Sequence, residues 1–264
     1  MDWLEAALLG LVQGLTEFLP VSSSGHLVIV ETLLGRVDEG IVFEVAVHVG
    51  TLLAILVYYR ARVAELVVGT LRREPEALGY VGKLVLATLP AVLVGLTVKD
   101  RVEALFTRPW IVGVALMATG LILLTTRRSI ATATLAAPTW WHALWIGCAQ
   151  VVAITPGISR SGTTVAVGLL LGVRALAATE FSFLMGVAAI AGAAVLQIPD
   201  LMEASRASLA AYAVGGAVAA VSGLGAIALF VRLLRSRRFH VFAGYCFAAG
   251  AGFLVYLAAT ASGH

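Results

Sequence analysis

A chain that carries six apolar stretches of bilayer-spanning length has hydrocarbon as its solvent, and there the backbone can satisfy its own polar groups only as helix or closed barrel. Here those stretches cover about 41–59, 83–99, 109–126, 179–197, 209–231 and 239–260. Two further apolar segments, about 2–35 and 140–173, are too long for one span, and each is broken near its middle by Pro and Gly within a polar loop. Their arms, roughly 12 to 17 residues each, sit at or below spanning length, so each segment is read as a re-entrant helix-loop-helix hairpin. Of 264 residues, 60% are hydrophobic and 12% charged, which excludes a soluble globule and a single anchor alike. The expected fold is an all-α polytopic membrane protein with six transmembrane helices plus two re-entrant hairpins, in a single integral membrane domain spanning 1–264.

The chain also repeats itself. With an offset of 137, Gly10 falls on Gly147, Gln13 on Gln150, Ser22 on Ser159, Ser24 on Ser161, Gly25 on Gly162, and Leu33-Leu34-Gly35 on Leu170-Leu171-Gly172. At 136, Glu44 meets Glu180 and Gly50 meets Gly186. Each half, about 1–132 and 133–264, thus reads as one interrupted hairpin followed by three spans. Three is odd, so the second half is expected upside down relative to the first, with a binding site near the midplane.

Charge sets the orientation. The face shared by 60–83, 127–139, 173–178 and 232–238 holds 12 Lys and Arg, against 5 on the face of 35–40, 99–108, 198–208 and the C-terminus. The richer face belongs in the cytoplasm, which leaves both termini outside and lets the two hairpin tips meet within the bilayer. The net charge of +3 is topology rather than a nucleic-acid footprint. The opening Met-Asp-Trp-Leu-Glu lacks the basic start of a secretory signal, so the first segment is expected to be retained. Cys148 and Cys246 show no metal or redox spacing and are expected as buried thiols. Trp140, Trp141, Trp145, Tyr58 and Tyr59 are expected as interfacial anchors, and Arg232, Arg235, Arg237 and Arg238 as a cytoplasmic cluster.

The residues of the two tips are chemically specific. Gln13 and Glu17, four apart, share a helix face and supply oxygens for a hard divalent cation, which completes its shell with water and phosphate. On the second tip, Ser159, Ser161, Thr163 and Thr164 flank Arg160, and Gly157 and Gly162 let backbone come close to a ligand. A helix beginning near 163 would aim its free N–H groups back at the loop and favour an anion, which Arg160 binds in bidentate fashion. His26, beside Gly25, is the loop imidazole suited to proton exchange near neutrality. Together these groups describe a site for phosphoryl chemistry. A lone tri-serine run would more often be glue between helices. Arg160 tips the balance, because a guanidinium at membrane depth costs about 2.5 to 3.5 kcal/mol on insertion scales unless paired or wet. Glu44 and His48, also four apart, are read as polar packing or a hydrogen bond to the hairpin in preference to a metal pair.

The segments Gln13-Gly14-Leu15-Thr16-Glu17-Phe18-Leu19-Pro20-Val21-Ser22-Ser23-Ser24-Gly25-His26 and Pro156-Gly157-Ile158-Ser159-Arg160-Ser161-Gly162-Thr163-Thr164 resemble the two signature motifs of the undecaprenyl-diphosphate phosphatase family, the bacitracin-resistance type. The likeness extends through Phe43-Glu44-Val45 and Glu180-Phe181-Ser182-Phe183-Leu184 to nearly the whole chain. It implies a hydrolase of the bacterial cytoplasmic membrane. Such an enzyme converts undecaprenyl diphosphate to the monophosphate plus inorganic phosphate at the outer face, which recycles the carrier for peptidoglycan synthesis and confers bacitracin resistance. It implies a divalent cation, Mg2+ or Ca2+, held by Glu17 and by Gln13, where the family accepts Glu or Gln. Glu17, Ser23, His26 and Arg160 then become the catalytic residues, with the nucleophile left open among His26, Ser23 and water. Ser159, Arg160 and Thr164 match the family's pyrophosphate-binding residues, and with the loop hydroxyls Ser22, Ser24, Ser161 and Thr163 they make the expected diphosphate-binding set. The partners implied are a polyprenyl diphosphate lipid, membrane lipids and, optionally, a second copy in a homodimer; nucleic acid is not among them. Inverted repeats with broken hairpins also suit a lipid transporter or flippase, which would carry the same headgroup without cutting it.

Overall fold

A computed structural model describes residues 2–35, 41–196 and 206–261. Among them the chain forms twelve helices and one isolated bridge. The first half comprises α1 (Trp3–Phe18), α2 (Ser23–Leu33), α3 (Ile41–Tyr58), α4 (Arg60–Leu71), α5 (Pro75–Thr97), α6 (Lys99–Phe106) and α7 (Pro109–Thr132). The second comprises α8 (Trp140–Val152), α9 (Arg160–Leu170), α10 (Ala175–Leu196), α11 (Arg206–Arg235) and α12 (Val241–Ala261). Five helices, α5, α7, α10, α11 and α12, are long and apolar enough to cross a membrane. Helices α3 and α4 make a sixth candidate when taken as one span bent by 81°.

Two helices lie where the sequence suggested polar loops. Helix α4 and the first turns of α5 occupy 60–83, and α6 occupies part of 99–108. Hydropathy windows respond to faces that are apolar all round, whereas α4 carries Arg60, Arg62 and Glu65 beside exposed Val67, Val68 and Leu71. Pro75 at the first position of α5, with its preset φ, starts that helix ahead of its apolar stretch.

The matched residues of the two halves turn out to be helix-terminus chemistry. Ser22 Oγ accepts from Gly25 N at 3.3 Å to begin α2, and Ser159 Oγ accepts from Gly162 N at 3.0 Å to begin α9. Gly35 (φ +67°) and Gly172 (φ +87°) terminate the same two helices in the left-handed conformation that favours glycine. Gly10 and Gly147 have another use. A methyl group at Gly10 would strike the Gly215 backbone of α11, and one at Gly147 would strike Ala87 of α5. Small residues therefore bring α1 onto α11 and α8 onto α5, so each hairpin packs against the opposite half, and α7 and α12 pair closely.

Phe18, Phe183, Phe230 and Phe239 form a buried aromatic row with successive ring centroids 5.3, 5.8 and 5.8 Å apart, linking α1, α10, α11 and the start of α12. Trp140, Trp141 and Trp145 are exposed. Tyr58 and Tyr59 depart from the expectation of interfacial anchors: Tyr59 packs edge-on against Phe183, because the α3–α4 bend turns its ring inward. Cys246 is buried with Sγ 3.6 Å from the Pro20 carbonyl, whereas Cys148 is exposed, because the buried face of α8 runs through Ala143, Ile146, Gly147 and Gln150.

Candidate active site

Local chemistry builds each tip before tertiary contacts join them. Asp2 and Glu5 form a capping box that starts α1, and Pro20 forces Leu19 into extended backbone (φ −66°, ψ 145°), ending the helix at Phe18. Gln13 and Glu17 thus stand one turn apart on the buried face of α1. Ser22 turns the chain into α2 at φ 68°, a left-handed conformation that costs a serine about 1 to 3 kcal/mol and persists only where neighbours impose it. On the other tip, Thr119 of α7 donates to the Gly157 carbonyl at 2.8 Å and accepts from Ser159 N at 3.0 Å. The tips cross at glycines: a methyl group on Gly25 would sit 2.9 Å from Gly157 Cα.

That crossing brings the halves together at Glu17. Its Oε1 accepts from Arg160 Nη2 at 2.6 Å, and its Oε2 accepts from Ser23 Oγ at 2.6 Å and from Gln13 Nε2 at 3.1 Å. His48 Nε2 approaches Oε2 to 3.7 Å, and its Nδ1 donates to the Glu44 carbonyl at 2.7 Å. Arg160 also donates from Nη1 to the Ser182 carbonyl at 3.3 Å, in space that exists because residue 186 is glycine. A guanidinium and a carboxylate from opposite halves therefore compensate each other in a largely buried pair; removing one partner from such a pair typically costs about 3 to 5 kcal/mol.

Beside this cluster lies a cavity of about 350 Å³. Its polar lining is Glu17, Ser22, Ser23, Ser24, Glu44, His48, Ser159 and Arg160, with Thr16 at its edge. The N-termini of α2 and α9 both line it, through Ser22, Ser23 and Ser24 and through Ser159 and Arg160, and the positive end of each helix dipole favours an anion there.

Several candidate residues stand elsewhere. His26 is on the far side of the α2 first turn, where Nδ1 donates to the Ser22 carbonyl at 2.8 Å and Nε2 meets the Tyr245 hydroxyl at 2.7 Å. Its ring stacks on Tyr245 at 11° and does not line the cavity. Ser161 donates to the Leu19 carbonyl, Thr164 bonds the Ser182 hydroxyl at 2.6 Å, and Thr163 Oγ1 is buried with no partner among the described residues. None of these three lines the cavity, although Ser159 and Arg160 at the start of the same helix do. Sequence reasoning missed Thr119, Ser182 and Tyr245. Polar residues inside apolar spans are the one signal that could have found the first two; Tyr245 carries no local signal at all.

Among the described residues no group of three or more His, Cys, Asp or Glu side chains is placed to hold a metal alone. The cavity offers two carboxylates, Glu17 and Glu44, with serine hydroxyls, and beside Glu17 the buried Gln13 Oε1 has no hydrogen-bond partner among the described residues. This partial, oxygen-weighted set suits a hard divalent cation that shares its shell with phosphate and water.

Residues 6–252 match the family model described as bacitracin resistance protein BacA. The chain is 41% identical to an undecaprenyl-diphosphatase of Trichlorobacter lovleyi, over 97% of this chain and 98% of that protein. It is 38% identical to one of Desulfosudis oleivorans, over 95% and 97%, and 39% identical to one of Rhodopirellula baltica, over 94% and 96%.

Proposed function

The chain belongs to the bacitracin resistance protein BacA family, and from that membership we propose that it hydrolyses undecaprenyl diphosphate to undecaprenyl phosphate and inorganic phosphate. It is a multi-pass membrane protein of a bacterial family acting on a lipid substrate. The observation that carries the mechanism is the continuous Arg160–Glu17–Ser23 chain, drawn from opposed hairpins and lining one polar cavity.

The α2 and α9 N-termini, Ser22, Ser24 and Ser159 receive the diphosphate oxygens, and Arg160 neutralises charge that grows as the anhydride breaks. Ser23 Oγ attacks the terminal phosphorus while its proton passes to Glu17 Oε2 along the 2.6 Å hydrogen bond. The bond between that phosphorus and the bridging oxygen breaks, and lipid monophosphate departs with the oxygen. Water then attacks the phosphoserine phosphorus, the P–Oγ bond breaks, Ser23 Oγ takes its proton back from Glu17, and inorganic phosphate leaves with the water oxygen. His26 holds the Ser22 carbonyl, and so the tip, through its bond to Tyr245. Glu17 and Gln13 Oε1 would hold Mg2+ or Ca2+ together with phosphate oxygens, and the bound cation supplies further charge neutralisation on the departing group.

The full arrangement is six transmembrane helices with α1–α2 and α8–α9 as re-entrant hairpins, in inverted repeats of about 1–132 and 133–264. The matched caps Ser22/Ser159 and Gly35/Gly172, and the exchanged packing of α1 on α11 and α8 on α5, support it. The charge asymmetry supports a site opening to the outer face of the cytoplasmic membrane.

The test is phosphate release from undecaprenyl diphosphate by the detergent-purified protein. Glu17→Ala, Arg160→Ala and Ser23→Ala should each lower kcat by about 100-fold or more. Near-normal release by both the Glu17 and Arg160 variants would remove this site, and a wild type that binds the lipid but liberates no phosphate would be a carrier.

A further inference from the structure

Helix α3 presents two chemistries on adjacent faces. Glu44 and His48 look into the polar cavity, whereas Val42, Ala46, Val49, Gly50 and Leu53 line a second, larger hollow of about 630 Å³. Its other walls are Ala194 and Val195 of α10 and the α11 face that includes Ala213, Gly216 and Ala217. Among the described residues no Asp, Glu, Lys, Arg or His lines it, and Tyr212 brings its only side-chain hydroxyl. Small residues make the trough: a methyl group on Gly50 would strike the Gly216 backbone, so α3 and α11 lie against each other at its floor, with alanines along its sides.

The two hollows adjoin. Val45 lines both, and on α10 the cavity residues Ala189 and Ile190 precede the trough residues Ala194 and Val195 by about one turn. A ligand occupying both must be anionic at one end and hydrocarbon at the other. The trough also lies at one end of the bundle, between the start of α3, the end of α10 and the start of α11. Those three ends flank the arginine-poor connections, the side assigned to the outer leaflet.

We propose that this α3–α10–α11 trough binds the isoprenoid chain of the lipid diphosphate, Val45 marking the passage from headgroup to tail. The assignment rests on the phosphatase reading of the adjoining cavity. The trough holds the units nearest the diphosphate and leaves the remainder in lipid, so recognition is of a polyisoprenyl chain entering sideways from the bilayer.

Ala213 and Ala217 are exposed on α11, so bulk there fills the trough without invading the core. Phosphate release is measured for Ala213→Phe, Ala217→Phe and the control Val221→Phe, which lies on the same helix, exposed and outside the trough. The substrates are undecaprenyl diphosphate and isopentenyl diphosphate, whose five carbons end at the headgroup cavity. The two trough variants should lower kcat/KM for the long substrate by about tenfold, through the loss of buried hydrocarbon contact, and leave the short one within about twofold. The control should change neither. Equal losses on both substrates, or none on the long one, overturn the assignment. The same proteins are photolabelled with polyprenyl monophosphate bearing a diazirine in its first isoprene units, a readout that needs no turnover. Labels on 42–53 and 209–220 in the wild type, lost in Ala213→Phe, support the trough even if the wild type releases no phosphate, which would sink only the phosphatase reading. Labels confined to other helices overturn the trough even in an active enzyme.

Discussion

Glu17 is the residue on which the two halves converge, and its partners divide its work. Arg160 holds one oxygen, Ser23 the other, and Gln13 spends its amide N–H on the same carboxylate while its own oxygen stays unpartnered. Stripping divalent cations with EDTA should lower phosphate release by about tenfold or more, with recovery on adding Mg2+ or Ca2+. Gln13→Glu adds a charged oxygen donor beside Glu17, so it should lower the cation concentration for half-maximal activity by about tenfold; a cation titration of both proteins reads this directly. His26 makes a different prediction. Because it meets Tyr245 outside the cavity, Tyr245→Phe should reproduce the activity loss of His26→Ala to within about threefold. A Tyr245→Phe enzyme with full activity beside a dead His26→Ala enzyme would place the imidazole at the reacting phosphorus instead.

Elements supply the tips with their shape. Ser22 and Ser159 act as helix caps and cavity walls at once, so Ser159→Ala should destabilise the protein by about 1 kcal/mol and also weaken substrate binding, read by thermal melting and by KM. The glycine crossing is less forgiving. Gly157 sits at φ +94°, and a methyl group on it would strike the Val112 backbone and Ala115 of α7, so Gly157→Ala must displace the second tip from α7. It should cut kcat by about 100-fold, since a displacement of about 1 Å at positioned reacting groups has that order of effect. The hairpins themselves were legible from sequence, because Pro20, Gly25, Pro156 and Gly162 interrupt apolar runs too long for one span. Helices α4 and α6 were not, since short amphipathic segments leave no mark on a hydropathy window.

At the scale of the whole molecule, each hairpin leans on the opposite half, α1 against α11 and α8 against α5, so the site assembles only when both halves are folded together. An inverted arrangement with both termini outside predicts a simple outcome. Protease tags at the two ends should both be cleaved in intact spheroplasts, while a tag inserted in the 133–139 connection is cleaved only after lysis. Cleavage of one terminal tag alone would contradict an even number of crossings.

Some of this protein was written along the chain: the solvent, from hydropathy; the interruptions, from Pro and Gly; the helix caps, from serines and glycines that recur at a fixed offset; Glu17, from its spacing with Gln13; and Arg160, from the cost of a guanidinium in an apolar run. These are local or one-dimensional signals. The direction in which each side chain points was decided only in three dimensions. Sequence put His26, Ser161, Thr163 and Thr164 near the site, but in the fold His26 meets Tyr245, Ser161 meets Leu19, Thr164 meets Ser182 and none of the four lines the cavity, while His48 comes in from α3 to face Glu17. Such contacts join residues far apart in the chain, and no periodicity or spacing encodes the angle at which two helices cross.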